Sequence, residues 1–77
     1  MSKARPLIMY AVYRQPADYP SSFVVRRWFL WSGRAVADQH PLAVTPTLEL
    51  ARAAIPDPLL HFPRQPADDP AIVETWY

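Results

Sequence analysis

Proline divides this sequence into short lengths. Ten prolines stand between Pro6 and Pro70, against a single glycine, Gly33, in 77 residues. Proline lacks a backbone N–H and fixes φ, so any helix or central strand has to fit between two of them. Disordered chains are proline-rich too, but they lack the apolar and aromatic residues that pay the entropy of folding. Here apolar residues make up 51% of the chain, with three tryptophans. The pattern reads as proline-stiffened loops around an aromatic core.

Between the prolines, Leu7 to Tyr13 has the β-branched and aromatic content of a strand. Phe23 to Trp31 is a longer strand, free of proline and glycine. Ser32-Gly33 then offers the one place where positive φ costs nothing, which predicts a hairpin turn. The return strand starts near Arg34 and runs raggedly to Val44, with Pro41 confining it to an edge or breaking it. Thr45-Pro46 reads as a helix start, with threonine at the N-cap and proline in the first turn. Leu48, Ala51 and Ile55 follow at helical spacing, widened by Leu50 and Ala54, and Pro56 and Pro58 stop the helix, predicted over residues 46–55. A second proline-rich loop leads to a last strand, Ala71 to Tyr77. The expectation is one α+β domain over residues 1–77 with a loose tail at 1–6. It has a mostly antiparallel sheet of three to four strands and one helix, in the order β-β-(β)-α-β. A small bent barrel of the Sm or SH3 kind is the alternative.

Both leading strands are apolar on both faces. Alternation puts Phe23, Val25, Phe29 and Trp31 with Arg27 on one side, and Val24, Trp28 and Leu30 with Arg26 on the other. One short helix covers one face only, and the bare face would exceed the apolar patch usual on a soluble monomer. Barrel closure, the proline loops or a second copy must cover it. With no cysteine there is no disulfide staple for so small a domain, and a homodimer is the expected cover.

An internal echo stands out. Arg14-Gln15-Pro16-Ala17-Asp18-Tyr19-Pro20 recurs as Arg64-Gln65-Pro66-Ala67-Asp68-Asp69-Pro70, and each copy precedes a strand. Two copies with nothing repeated between them exclude a solenoid. Two stiff loops delivering chain into neighbouring strands is the stronger reading, a paired ligand-binding loop the weaker. The echo predicts Arg26 and Glu74 as cross-strand neighbours.

Little in the sequence points to chemistry. Cysteine nucleophiles and thiolate zinc sites are excluded, no serine has a Gly-x-Ser-x-Gly context, and one glycine cannot build a phosphate loop. His40 with Asp38, His61, and the pair Asp68-Asp69 show no converging metal-ligand spacing. The chain is therefore read as non-enzymatic, with no catalytic residue, metal or cofactor. The net charge of +1 gives no general pull towards nucleic acid or an anionic membrane. The basic-aromatic run Arg26 to Trp31 is the local exception. Arg26 and Trp28, with Arg14 and Arg64 of the loops, are the candidate binding residues for RNA or single-stranded DNA. A small-molecule pocket under the proline loops is a third reading. The apolar stretch after the basic N-terminus is too short and too polar for a signal peptide or a membrane span, so the chain reads as cytoplasmic.

Residues Tyr10 to Pro16, Val24 to Trp28, Pro41 to Val44 and Val73 to Trp76 resemble a family of short bacterial proteins of unknown function. That resemblance implies a stand-alone bacterial protein and assigns no residue a role.

Overall fold

The computed structural model describes residues 5–56 and 59–77. Most of the expected tail, residues 1–4, and Pro58 as the second helix stop lie outside them. Six strands and one helix follow in the order β1 (Leu7–Arg14), β2 (Phe23–Trp31), β3 (Arg34–Ala37), β4 (Ala43–Thr45), α1 (Leu48–Ala53), β5 (His61–Pro63) and β6 (Ile72–Trp76). All pairings are antiparallel, in one open sheet of order β3-β2-β1-β6-β5, with β4 also on β2. One short helix beside a mostly antiparallel sheet is consistent with the α+β expectation, but the strands number six rather than three to four. The sheet's outer strands do not pair with each other, so the barrel alternative is not what forms.

The broken return strand is as expected. β3 pairs with the Trp28–Trp31 half of β2 and β4 with the Phe23–Val25 half, and the residues around Pro41 bulge out between them. Backbone bonds from Asp38 N–H to Arg27 O and from Leu42 N–H to Val25 O pin the two ends of that excursion. The unforeseen strand is β5. Its proline, Pro63, is compatible with pairing because β5 is the outer strand.

The position of the last strand corrects the expected topology. β6 pairs with β1, through Tyr10↔Trp76 and Val12↔Glu74, and β1 separates it from β2. Arg26 faces Ala11 across β1–β2, and Arg26 and Glu74 are not neighbours. β1 and β2, the two strands apolar on both faces, both lie inside the sheet with a neighbour on either side.

Gly33 turns the β2–β3 hairpin at φ 77°, with nothing within 4 Å of where a Cβ would stand. Gly33→Ala is therefore expected to cost about 1 kcal/mol from the backbone alone. Gly33→Asn should cost less, since asparagine tolerates this region, and chemical denaturation of both variants checks the order.

The helix starts later than the sequence suggested. Thr47, not Thr45, is the N-cap, and its side chain accepts from Leu50 N–H at 3.2 Å. Pro46 keeps the residue before it extended, so Thr45 stays in β4 and its hydroxyl donates to Thr47 O at 2.7 Å. Leu48, Ala51 and Ile55 do face the sheet. Ala51 and Ile55 join Val12 and Val25 in the core, and Tyr10, Phe23, Ala43, Leu48, Leu59 and Trp76 pack around them. Leu50 and Ala54 are exposed and do not widen the stripe.

Among the described residues, no helix or further strand covers the opposite face. Ala11, Val24 and Thr75 are nonetheless buried there, because they are small and larger neighbours flank them across the strands: Arg26 beside Ala11, Tyr13 beside Val24. The molecule is elongated, 46 × 25 × 23 Å. Its β1–β2–β3 end extends past the Phe23–Val25 region where the core and helix sit.

Candidate functional site

Two clusters of polar and aromatic side chains form, one on each face of the sheet. On the helix face, alternation along β6 aims Glu74 and Trp76 at α1, and β5 brings His61 opposite Trp76. The Glu74 side chain is 2% exposed and accepts four hydrogen bonds. Arg52 grips it bidentately, Nε to Oε2 at 3.0 Å and Nη2 to Oε1 at 2.7 Å. Trp76 Nε1 donates to Oε2 at 2.7 Å, and His61 Nε2 lies 3.1 Å from Oε1. Burial pushes the Glu74 carboxyl up, but the hydrogen bonds from Arg52, Trp76 and His61 and the Arg52 charge outweigh it, leaving the carboxyl below the ordinary range. A carboxylate with both oxygens so occupied is a lock between α1, β5 and β6 rather than a base. A shallow cavity of about 350 Å³ lies beside Arg52, His61 and Trp76.

The opposite face carries the second cluster. Here β1 and β2 present Tyr13, Arg26 and Trp28, and the echoed loops stand over them. Trp28 Nε1 donates to Tyr13 OH at 3.2 Å, and Arg26 Nη2 donates to Asp18 Oδ2 at 2.7 Å. Burial raises the Tyr13 phenol's pKa above its ordinary value. Tyr13, Pro16, Ala17, Asp18, Arg26, Trp28, Ala37, Asp69 and Ala71 line an open groove of about 380 Å³.

The echo has a structural counterpart. Both copies close on the same turn at the entry to their strand, Ser22 N–H to Tyr19 O at 3.2 Å just before β2 and Ile72 N–H to Asp69 O at 2.9 Å at the first residue of β6. The loops are tied together where Arg14 N–H meets Ala71 O at 2.7 Å. They feed β2 and β6, the two neighbours of β1. The first copy adds a left-handed residue, Gln15 at φ 47°.

Of the four candidate binding residues, Arg26 and Trp28 share this groove. Arg14 belongs to the helix face, with its guanidinium over the Phe23 ring at 5.3 Å. Arg64 donates to the Asp68 carbonyl within its own loop at 3.4 Å. A different basic-aromatic group lies on the helix face at the hairpin end. Phe29 and Trp31 stand 6.3 Å apart, with Arg27 over Phe29 and Arg34 over Trp31, and Arg27 is also bound to Asp38 at 2.7 Å. Sequence reasoning had Phe29, Trp31 and Arg27 on one face but not Arg34, which the hairpin register adds opposite Trp31. It missed the Glu74 cluster, whose members lie 13 and 22 residues away from Glu74.

Among the described residues, no group of three or more His, Asp or Glu side chains could hold a metal ion. No described helix is long and apolar enough to cross a membrane. No family model, curated protein or solved structure matches this chain.

Proposed function

We propose that this chain is a non-enzymatic module that acts by self-association, and that a second copy covers the hairpin end of its sheet. The observation that carries the reading is the state of that end. Leu7 is 54% exposed, and Ile8, Trp31 and Val36 are exposed around it, on both faces of the ribbon. β1 is paired with β6 only from Tyr10 onwards. Leu7, Ile8 and Met9 thus have no strand partner on that side among the described residues. An open antiparallel edge flanked by apolar side chains is self-complementary about a two-fold axis, which is the closed geometry of a homodimer. A domain with no cysteine gains stability from such burial, because association is linked to folding.

Sedimentation at micromolar concentration is expected to give twice the monomer mass. Ile8→Lys, at an exposed position, should return the monomer with an unchanged circular dichroism spectrum. A wild-type monomer at that concentration overturns the reading. The alternative function, binding of RNA or single-stranded DNA, draws support from the Phe29, Trp31, Arg27 and Arg34 group, since stacked aromatics beside guanidiniums suit bases and phosphates. Its signature is a monomer that binds a short oligonucleotide with an affinity that falls steeply with salt.

A further inference from the structure

We infer that the groove between the two echoed loops is a binding site for an ammonium group carrying a small apolar body. The groove gathers residues from both copies of the echo, Pro16, Ala17 and Asp18 from the first and Asp69 from the second. Its volume of about 380 Å³ lies at the small end of the range for ligand sites, about 300–1,000 Å³.

The charge in the groove selects the ligand's sign. Two carboxylates, Asp18 and Asp69, face one guanidinium, Arg26. Arg26 is already bound to Asp18 Oδ2 at 2.7 Å, and Asp69 Oδ1 accepts from Ala71 N–H at 2.9 Å. The other oxygen of each carboxylate has no protein partner among the described residues, so the groove retains one net negative charge and two free acceptors. An anion would meet a guanidinium that is already neutralised and two carboxylates that repel it. A cation finds both carboxylates and Trp28 in the lining of one groove; the Trp28 indole N–H is held by Tyr13 OH, and an indole ring attracts positive charge. Pro16, Ala17, Ala37 and Ala71 supply the apolar wall.

Trp28 lies across from Met9 of the edge proposed for self-association, so the titration is run on both the wild type and the Ile8→Lys variant, and a shift common to both is independent of self-association. The Trp28 indole N–H gives a site-specific nuclear magnetic resonance signal. Titration with n-butylammonium chloride is expected to shift it saturably, and sodium butyrate at equal ionic strength should not. Asp69→Asn keeps an acceptor for Ala71 N–H, and Asp18→Asn lies on an exposed loop, so both variants should fold. Each is expected to weaken the amine about fivefold, as loss of one Coulomb contact near the surface requires. A short peptide with one lysine distinguishes the source of the cation: tighter binding than butylammonium assigns it to a partner chain, and equal binding to a free amine, either result supporting the site. No saturable shift, equal amine affinity in both variants, or binding of butyrate overturns the inference.

Discussion

Arg52→Ala is expected to destabilise the fold by about 2–3 kcal/mol, despite removing a side chain that is 45% exposed. The cost comes from what is left behind. Without Arg52, Glu74 keeps only the Trp76 and His61 contacts, and a buried carboxylate without its counter-charge is expensive. The half-exposed position of Arg52 places the loss below the full range for a buried pair. The pH dependence carries a sharper signature. In the wild type the Glu74 carboxyl sits below its ordinary value of 4.5. Its contribution is thus complete above that value and is lost as pH falls through the lower folded value. In Arg52→Ala, burial is no longer outweighed and the carboxyl moves up. The sign then reverses: protonation favours the folded form, and the deficit against wild type should shrink between about pH 7 and about pH 4. Urea denaturation at both pH values reads this directly. A deficit that stays constant would mean that Arg52 acts through packing of its stem alone.

Ile55→Ala is expected to cost about 2–4 kcal/mol, the loss for truncating a buried isoleucine where the site collapses only partly. Ile55 is 8% exposed and lies against Val12, Val25 and Ala51. It follows the last turn of α1, where Ile55 N–H bonds Arg52 O at 3.1 Å. The helix is only six residues long, too short to persist without packing. Losing this anchor should therefore loosen the Arg52 grip on Glu74 as well, and the double variant Ile55→Ala/Arg52→Ala should cost less than the sum of the singles. Strict additivity would show that helix docking and the Glu74 lock are independent.

What was legible in the sequence was local. The long stretch without proline gave β2, Ser32-Gly33 gave the hairpin, and the spacing of Leu48, Ala51 and Ile55 gave the buried side of the helix. Pro41 marked the break between β3 and β4. The order of strands was not local. Nothing in the composition of Ala71 to Tyr77 says whether it lies beside β1 or β2, and both choices satisfy its alternation. The two-sided apolar character of Leu7 to Tyr13 does not decide it, because Phe23 to Trp31 shares that character and both strands have neighbours on either side. β5 is three residues long and held by register with β6, below the length at which periodicity is readable. The Glu74 cluster depends on three separate elements meeting, so no spacing along the chain joins Arg52 and His61 to Glu74. The groove was half visible: the echo drew attention to the loops, and only the sheet order shows that they converge on Tyr13 and Trp28.

The sheet's two outer margins share a trait. On one, Pro41 splits the strand into four-residue and three-residue pieces with an outward excursion between them. On the other, β5 is three residues long and ends in Pro63. Neither margin offers the unbroken row of backbone donors that an added chain would need to continue the ladder. Growth strand upon strand, the route to fibres, is therefore blocked on both sides. The unpaired stretch at Leu7 to Met9 is internal to the strand order and flanked by β6, so it can accept one neighbour and then has none left to offer. The pairing of two copies proposed above would therefore stop at a finite particle, with no edge left for a third copy to extend.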